Sequence, residues 1–579
     1  MSRNKSQMSR NASPPLAHPG TSHSGGKDAS GPAPVLTKES RINRLATIVL
    51  IGFALSWFYC YYNGTYLRLP YPKNTFLFVP GAEFTDFYSA VAQLIGYNPY
   101  LTKAATPGNY FPFANLQTWL FTLLPMTTAL ELFLLIFAAG MLLLCGYFLK
   151  TNDRVDTIRN IFVLAFLSYP FLFCVDRSNF ECLLFVHLVL FLIFYVKRQY
   201  LLSSVFLSFA IAMKLFPIVF LLLFIADKRY KETLYSLFLV VILSAVCLLP
   251  TKGGLEANLN YVLSGFSSGM IPPGSIDFVT DSNNLVQRGM SLFTLLKMMC
   301  IWGGRMDTIN LHAYVLPYYA AMCATGALVA FYVIFSESDL WKKVSLLTLA
   351  MLLFPHMSAD YKLIHLFLPL CLYVSAESRF KYDRLFVWLF GLLLIPKGYY
   401  YFQSVASDSS MNDISIAVPI NIALLSLMLA SLLAEGWGLR DRTWLAQSKT
   451  RLLEHLGLAR GYALPIAALA LIGCGVMFYA AFGMRDYKTL CRKVHTCAEL
   501  SYHGKYVECL AACDKLIAAN EATADVYYIA SSVRIALGQY DEAMRAAEKA
   551  LTLAPDYRMA AENYYRARAA LNPRPRTAQ

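Results

Sequence analysis

The stretch KRQYLLSSVFLSFAIAMKLFPIVFLLLFIADKRYK, residues 197–231, decides the fold. Its apolar part, Leu201–Ala226, is long enough to cross a bilayer, but Lys214 and Pro217 interrupt its middle and basic residues flank both ends. One straight crossing would place one basic cluster on the wrong side, because Lys and Arg concentrate in cytoplasmic loops. Two half-helices that meet near Lys214 keep both clusters inside, so we favour a re-entrant pair over the alternative of a single span.

Other apolar runs extend this interpretation to most of the chain. The 579 residues are 57% hydrophobic and only 15% charged, and their net charge is +14. Lys and Arg cluster in the short loops, which indicates membrane topology and not a nucleic-acid partner. We predict an all-α polytopic transmembrane bundle of about 11 full spans plus the re-entrant helix pair. The predicted spans are Leu45–Tyr62, Thr128–Leu149, Ile158–Val175, Phe180–Val196, Leu234–Leu249, 312–335, 343–357, 361–376, 384–402, 414–434 and 462–482.

The chain divides into three predicted regions. Residues 1–40 are rich in Ser, Gly and Pro and are expected to form a disordered cytoplasmic tail. Residues 41–482 form the transmembrane domain, and residues 483–579 form a small extracytoplasmic helical domain. Cations before the first span hold the N-terminus in the cytoplasm. The expected location is therefore a cell inner (plasma) membrane, with the C-terminal domain in the periplasm.

A 34-residue repeat marks the C-terminal region. Gly504-Lys505-Tyr506 recurs as Gly538-Gln539-Tyr540, and the second copy ends at Pro555. The period, the small residues at packing positions and the terminal Pro resemble tetratricopeptide repeats. A generic helical hairpin is the alternative. Because such repeats bind other chains, we expect a protein partner.

Four cysteines also lie in this region. They are Cys491, Cys497, Cys509 and Cys513. If the first two helices of the region pair in antiparallel fashion, Cys491 faces Cys513 and Cys497 faces Cys509. This arrangement favours two disulfides in an oxidising compartment. Free thiols and a zinc site with His495 are the alternatives.

Polar residues between the spans gather on one outer face in this topology, and ionisable groups at membrane depth are usually functional. Asp86 is the candidate general base for a sugar hydroxyl. Lys214, Arg177 and Lys362 are candidate cations for a donor phosphate. Sugar transfer from a polyprenyl phosphate fits these groups, and direct displacement assisted by one base inverts the anomeric carbon. The candidate substrate-binding residues are Tyr88, Asn98, Tyr100, Asn179, His356, Asp360 and His365.

Two blocks of sequence carry a resemblance to a known family. They are DFYSAVAQLIGYNPY at 86–100, and DRSNFE at 176–181 followed by AIAMKLFP at 210–217. Together they resemble glycosyltransferase family 87 of the C-type superfamily, which typically has D-R-G-N where this chain has Ser178. The resemblance covers residues 45–400 approximately and leaves out the repeat region. It implies a multi-pass enzyme that uses polyprenyl-phosphate sugars, notably mannose, and it implies that Asp86 is similar to the family's catalytic base.

The expected function is thus an inverting membrane glycosyltransferase that moves a sugar, mannose by preference, from a polyprenyl phosphate to a lipid, glycan or protein acceptor. No cofactor and no metal are expected. One alternative is a transporter or flippase for lipid-linked sugars, which would need polar groups along a path through the bilayer instead of at one face. Another is a scaffold with a degenerate bundle, in which the repeat region recruits partners.

Overall fold

The computed structural model describes most of the bundle and the C-terminal helices. The described residues are 36–78, 80–94, 110–251, 255–256, 258–259, 288–302, 312–337, 339–377, 380–397, 401–403, 413–438, 450, 454, 493–494, 496–498, 500–501, 504–553 and 558–571. Nearly all of the predicted tail 1–40 and the predicted span 462–482 lie outside them.

Helices dominate the described residues. In the bundle they are α1 (Lys38–Thr65), α2 (Thr85–Leu94), α3 (Pro112–Phe121), α4 (Met126–Phe148), α5 (Arg154–Ile161), α6 (Tyr169–Arg177), α7 (Glu181–Val196), α8 (Tyr200–Met213), α9 (Leu221–Ala226), α10 (Tyr230–Val246), α11 (Leu292–Trp302), α12 (His312–Phe331), α13 (Leu340–Leu353), α14 (Phe367–Ser375), α15 (Asp383–Leu394) and α16 (Ala417–Gly438). Tight 3₁₀ turns precede α9 and α14, and wide π turns follow α5 and α12; these four segments are Phe216–Phe220, Asp360–Leu366, Phe162–Phe166 and Tyr332–Ser336.

Four of these helices are long and apolar enough to cross a membrane. They lie at Lys38–Thr65, Met126–Phe148, Tyr314–Ser336 and Ala417–Glu435. Arg154–Phe166 and Tyr169–Arg177 make a fifth if this pair, bent by 56°, counts as one span. Helices α7 and α8 and the run Phe216–Ala226 are apolar but shorter. The described residues therefore form a membrane protein, and the total of about 11 spans stays a prediction.

The outer face of α1 carries exposed apolar side chains that are suited to contact with lipid. Leu50, Leu55 and Phe58 are 49%, 66% and 61% exposed. Further along the same helix, Trp57 and Tyr61 stack with ring centroids 5.2 Å apart. A continuous apolar face of this kind is rare on proteins in water. Aromatic residues near the end of a span are typical of the membrane interface.

The segment that opened the sequence analysis is broken at Lys214, as predicted. Helix α8 ends at Met213, and Lys214 has extended backbone angles, φ −151° and ψ 135°. The hydroxyl of Tyr195, at the end of α7, donates to Leu223 O at 3.0 Å and to Asp227 Oδ2 at 2.7 Å. Its ring also lies 5.5 Å from Tyr200, the first residue of α8. Both ends of the segment thus lie beside Tyr195, and Lys214 lies at the far tip, as two half-helices require.

Cations collect at the Tyr195 end, which we call the basic end. Arg229 lies over the Tyr200 ring at 4.2 Å. Lys343, at the start of α13, lies 3.6 Å from Asp227. Its neighbour Lys342 lies 3.0 Å from Glu435, near the end of α16. The opposite end of the helices, where Lys214 lies, is the site end.

The predicted span 384–402 ends early. Helix α15 stops at Leu394, because Pro396 cannot continue a helix. Beyond it, β1 (Tyr401–Gln403) pairs antiparallel with β2 (Asp413–Ser415), with Phe402 opposite Ile414. This short hairpin is a small departure from the predicted all-α class.

Four helices form most of the described part of the C-terminal region, and neighbouring helices pack together. They are α17 (Tyr506–Ala518), α18 (Ala524–Ala536), α19 (Tyr540–Leu553) and α20 (Arg558–Leu571). Helices α17 and α19 begin 34 residues apart, and so do α18 and α20. Gly504 and Gly538, one before each pair, both have positive φ, +70° and +74°. The same 34-residue offset relates the buried residues Cys513 and Ala547.

The cysteines of this region are thiols in the structure. Cys497, Cys509 and Cys513 are buried and free, and Cys491 lies outside the described residues. Cys497 and Cys509 are thus unbonded in the structure, and the predicted Cys491–Cys513 pair falls partly outside the described residues. Cys513 hydrogen-bonds both of the others, because one helical turn places Cys509 and Cys513 on the same face. These hydrogen bonds raise the pKa of the Cys513 thiol, so it stays protonated.

Candidate functional site

Packing and backbone hydrogen bonds fix the start of α2, which carries Asp86. Phe87 is fully buried and its ring lies 5.7 Å from Phe121 and 5.1 Å from Phe133. On the other side, Phe84 N donates to Asp176 O at 2.7 Å. Because α2 is held against both α3 and α4 and against the end of α6, the neighbouring Asp86 side chain has a defined direction.

Arg177 and Asn179 hold the Asp86 carboxylate. Arg177 Nη2 donates to Asp86 Oδ1, and its Nε donates to Oδ2 at 3.2 Å. Asn179 Nδ2 donates to the same Oδ2 at 2.8 Å. Ser178 between them has φ +48° in the left-handed region, which ends α6 and lets both neighbours reach Asp86. The motif Asp176-Arg177-Ser178-Asn179 therefore serves as a clamp for Asp86.

The clamp leaves hydrogen-bonding capacity unused. An ionised carboxylate has about four acceptor positions. Among the described residues three hydrogen bonds reach Asp86, one at Oδ1 and two at Oδ2. Arg177 Nη1 has no hydrogen-bond partner in the described part of the chain, and the Phe78 ring lies 3.9 Å from the guanidinium carbon. The side chains of Asp86 and Arg177 are 18% and 16% exposed, so a ligand can reach both.

A second cluster surrounds Glu181, the first residue of α7. Lys214 Nζ donates to its Oε1 at 2.7 Å, and His365 Nε2 lies 2.9 Å from its Oε2. Glu181 and His365 have no exposed side-chain surface, whereas Lys214 is 20% exposed. Lys362 Nζ lies 4.4 Å from the Phe216 ring and 3.4 Å from a backbone carbonyl, and no carboxylate of the described residues pairs with it.

A third cluster, around Asp360, links the neighbouring loops through hydrogen bonds. Asp360 accepts a hydrogen bond from the Tyr169 hydroxyl and lies 3.5 Å from Arg288 Nη1. Arg288 Nη2 also donates to Leu77 O at 2.8 Å. Asp360 N donates in turn to Arg288 O at 2.9 Å. Asp360 is thus a buried anchor between the loop after α1 and the 3₁₀ turn before α14.

Aromatic rings connect the three clusters. Phe78 lies beneath Arg177 and also 5.4 Å from the Arg288 guanidinium. The Tyr110 ring lies 5.3 Å from Lys214 Nζ, and its hydroxyl hydrogen-bonds Asn179. The groups from five separate stretches of sequence therefore form one continuous polar centre at the site end.

The remaining predicted residues fall in different places. Tyr88 is 37% exposed, one residue along α2 from the buried Phe87, and is free to meet a ligand. His356 Nδ1 hydrogen-bonds the Tyr319 hydroxyl, while its Nε2 is buried without a hydrogen-bond partner in the described part of the chain. Asn98 and Tyr100 lie outside the described residues. His365 was predicted to bind substrate, but its full burial behind Glu181 makes it a support for that carboxylate.

Sequence reasoning missed two charged residues of this centre. Glu181 closes the motif DRSNFE and is followed by the apolar run of α7, and an acid at the start of such a run is the signal that could have found it. Arg288 lies in a long loop of ordinary composition, and no local pattern distinguishes it. Within the described residues, no group of three His, Cys, Asp or Glu side chains could hold a metal ion.

Comparison with known proteins adds one finding. Residues 109–357 match the model of glycosyltransferase family 87, which is a little under half of the chain. The matched range contains Arg177, Asn179, Glu181 and Lys214, but it begins after Asp86. The curated proteins and the solved structures gave no match. Together with the apolar helices, the similarity supports a membrane protein with glycosyltransferase activity.

Proposed function

We propose that this protein is an inverting glycosyltransferase embedded in the membrane. It moves a sugar, with mannose as the first candidate, from a polyprenyl phosphate to a lipid, glycan or protein acceptor. The observation that carries the proposal is the partly exposed Asp86 carboxylate. Arg177 and Asn179 clamp it, and one of its acceptor positions has no partner among the described residues. The similarity of residues 109–357 to family 87 supports the reaction class.

Asp86 acts as the general base in this proposal. The acceptor hydroxyl donates its hydrogen bond to the unused position at Oδ1, while Arg177 and Asn179 keep the carboxylate from turning away. The hydroxyl oxygen attacks the anomeric carbon as its proton passes to Asp86. Positioning both reactants in this way supplies much of the rate enhancement.

The leaving group is polyprenyl phosphate, and nearby cations stabilise its negative charge. As the bond between the anomeric carbon and the phosphate oxygen breaks, the phosphate gains one negative charge and Asp86 loses one by protonation. Arg177 shares its guanidinium with the phosphate through Nη1 from the moment the donor binds, and the net charge of the centre does not change as the bond breaks. Lys214 and Lys362 are the other phosphate-binding candidates, since Lys214 is partly exposed and no described carboxylate forms a direct ion pair with Lys362.

Attack from the side opposite the phosphate inverts the sugar configuration. No second carboxylate of the described centre is placed as a nucleophile. Glu181 is fully buried, Asp360 is tied to Tyr169 and Arg288, and the buried Asp176 accepts from Phe78 N. A double displacement with retention would need such a group. The substrate contacts proposed for Tyr88 and His356 complete the site, and Asn98 and Tyr100 belong to the same loop as Asp86 in sequence.

The lipid bilayer around the bundle supplies an apolar environment for the isoprenoid tail. The proposed bundle of about 11 spans has its basic end in the cytoplasm, because positive loops stay on that side. The site end then faces the extracytoplasmic side of an inner (plasma) membrane. The C-terminal helices, with their 34-residue offset, form the proposed periplasmic repeat domain that binds a partner protein.

The test is sugar transfer by purified protein in lipid vesicles. Polyprenyl-phosphate sugars labelled in the sugar, with mannose and its common alternatives, are incubated with crude membrane lipids as acceptor. Transfer by the wild type and loss of transfer by Asp86→Asn are expected, and NMR of the product should show the inverted anomer.

The matched control is Asp156→Asn, which removes an aspartate from an exposed Arg159–Asp156 pair outside the site and should transfer normally. Transfer retained by Asp86→Asn would contradict its role as base. Movement of labelled donor across the vesicle without any transfer would identify a flippase instead.

A further inference from the structure

Glu181 holds an unusual place in this centre. Its side chain has no exposed surface, and its two oxygens face Lys214 at 2.7 Å and His365 at 2.9 Å. A carboxylate buried in this way does not contact substrate. Any contribution of Glu181 to the reaction therefore passes through Lys214, the partner that is partly exposed.

Lys214 depends on this carboxylate for its charge. Among the described residues, no other carboxylate pairs with its ammonium, and the rings of Tyr110 and Tyr361 lie at 5.3 Å and 5.8 Å. An ammonium group in apolar surroundings without a carboxylate partner loses its proton at a lower pH than in water. The long lysine side chain is also flexible, and the hydrogen bond to Glu181 selects one of its positions.

We infer that Glu181, supported by His365, is a positioning residue that keeps Lys214 protonated and directed at the donor phosphate. This inference rests on the proposed function, in which Lys214 binds that phosphate. No bond forms or breaks at Glu181. Its carboxylate fixes the charge and the place of a cation before the donor arrives, which is the preorganisation that electrostatic catalysis needs.

Among the described residues, groups from three stretches of the chain face Lys214. Glu181 lies on α7 with His365 behind it, Tyr110 precedes α3, and Tyr361 belongs to the 3₁₀ turn before α14. Lys362 lies on the same turn and also acts electrostatically on Glu181. Once Glu181 is neutral, the like charge of Lys362 disfavours protonation of Lys214 further.

The decisive variant is Glu181→Gln, which keeps the shape and one acceptor oxygen but removes the charge. We expect its kcat/KM for the polyprenyl-phosphate sugar to fall about tenfold per pH unit above the pH at which Lys214 deprotonates. The fall should appear in KM for the donor more than in kcat. It should begin at a lower pH than any alkaline fall of the wild type, because the carboxylate that pairs with Lys214 is gone. The double variant Glu181→Gln with Lys214→Arg should return the start of the alkaline fall to that of the wild type, because a guanidinium stays charged there.

Glu435→Gln is the matched control. It neutralises the partner of a buried lysine, Lys342 at 3.0 Å, at the basic end, and its pH profile should equal that of the wild type. A structural role for Glu181 would lower activity equally at every pH, and Lys214→Arg would not restore it. That result would overturn the inference.

A binding measurement separates this inference from the proposed function. A short-chain polyprenyl phosphate is titrated into wild type, Glu181→Gln and the double variant in detergent, above the second ionisation of the phosphate at about pH 6. Weaker alkaline binding by Glu181→Gln alone supports the inference even if no sugar is transferred. Binding that is the same in all three proteins overturns the inference and leaves the proposed function standing. No binding by the wild type overturns both.

Discussion

Two arginine–aspartate pairs at opposite ends of the bundle have the same chemistry and different surroundings. At the basic end Arg41 contacts both oxygens of Asp383, at 3.0 Å and 3.2 Å, and its Nη1 donates to Tyr373 O and Ala376 O. Asp383 also accepts from the Tyr373 hydroxyl and from Leu36 N. The Arg41 and Asp383 side chains are 1% and 9% exposed. All four acceptor positions of this carboxylate are occupied.

The pair Asp86–Arg177 at the site end is incomplete by comparison. The Asp86 and Arg177 side chains are 18% and 16% exposed. Within the described part of the chain, one acceptor position of Asp86 is unused and Arg177 Nη1 has no hydrogen-bond partner. A saturated pair joins helices, whereas an unsaturated and accessible pair can exchange its contacts for those of a ligand. The comparison teaches that unused hydrogen-bonding capacity, and not the ion pair itself, indicates function.

The largest expected effect is a difference in transfer rate between variants of the two aspartates, Asp86 and Asp383. Asp86→Asn should lower the transfer rate by about 10²–10⁴-fold, because it removes the base. Asp383→Asn should leave the rate per folded molecule within the error of the wild type. Rates are measured at saturating donor and normalised to the folded fraction from size-exclusion chromatography. Equal losses in both variants would remove the distinction between the pairs.

For the free energy of unfolding, the Asp383 variant is expected to lose more than the Asp86 variant. Asp383→Asn leaves the Arg41 charge buried and should destabilise the fold by about 3–5 kcal/mol. Asp86→Asn should cost far less, because its arginine keeps access to water. Thermal unfolding in detergent, followed by tryptophan fluorescence, checks both variants. An unfolding temperature lowered more by Asp86→Asn would contradict the comparison.

Replacement of the arginines by lysine sharpens the comparison at a smaller scale. Arg177→Lys keeps one charge but loses the two-pronged contact, so KM for the donor should rise about tenfold, or about 1.4 kcal/mol. Arg41→Lys should change the unfolding temperature and leave KM as it is. Donor titrations at fixed acceptor measure both values. An unchanged KM in Arg177→Lys would assign the phosphate contact to the lysines alone.

The smallest effect is expected outside the bundle, in the helices with the 34-residue offset. Gly504 and Gly538 have positive φ, and a Cβ added at either would meet nothing within 4 Å. Gly538→Ala should therefore cost only the backbone term of about 1–2 kcal/mol. Hydrogen exchange of α19 and α20 in the full chain measures it, and Gly504→Ala is the matched variant for α17 and α18. A much larger cost at one glycine would mean that the two copies are not equivalent.

Several features could be predicted because they depend on neighbours along the chain. The break at Lys214 follows from a charge and Pro217 inside an apolar run, and the helix starts of the C-terminal region follow from the repeated glycines. The clustering of Asp86, Arg177 and Asn179 followed from the expected topology, but the bidentate clamp did not, because it depends on the left-handed turn at Ser178. The disulfide prediction rested on spacing, which placed Cys497 opposite Cys509. Spacing did not show Cys513, which lies beside both as a thiol in the structure.

The sequence by itself determined that this chain lies in a membrane, which loops carry its positive charge and which motif holds its acidic candidate, since hydropathy and charge are properties of each segment alone. Only the tertiary structure decided that Glu181 supports Lys214, that His365 lies behind it and that Arg288 fastens Asp360. Those contacts join residues 33, 184 and 72 positions apart. Packing of distant helices fixes them, and no local pattern encodes the distance between two side chains on different helices.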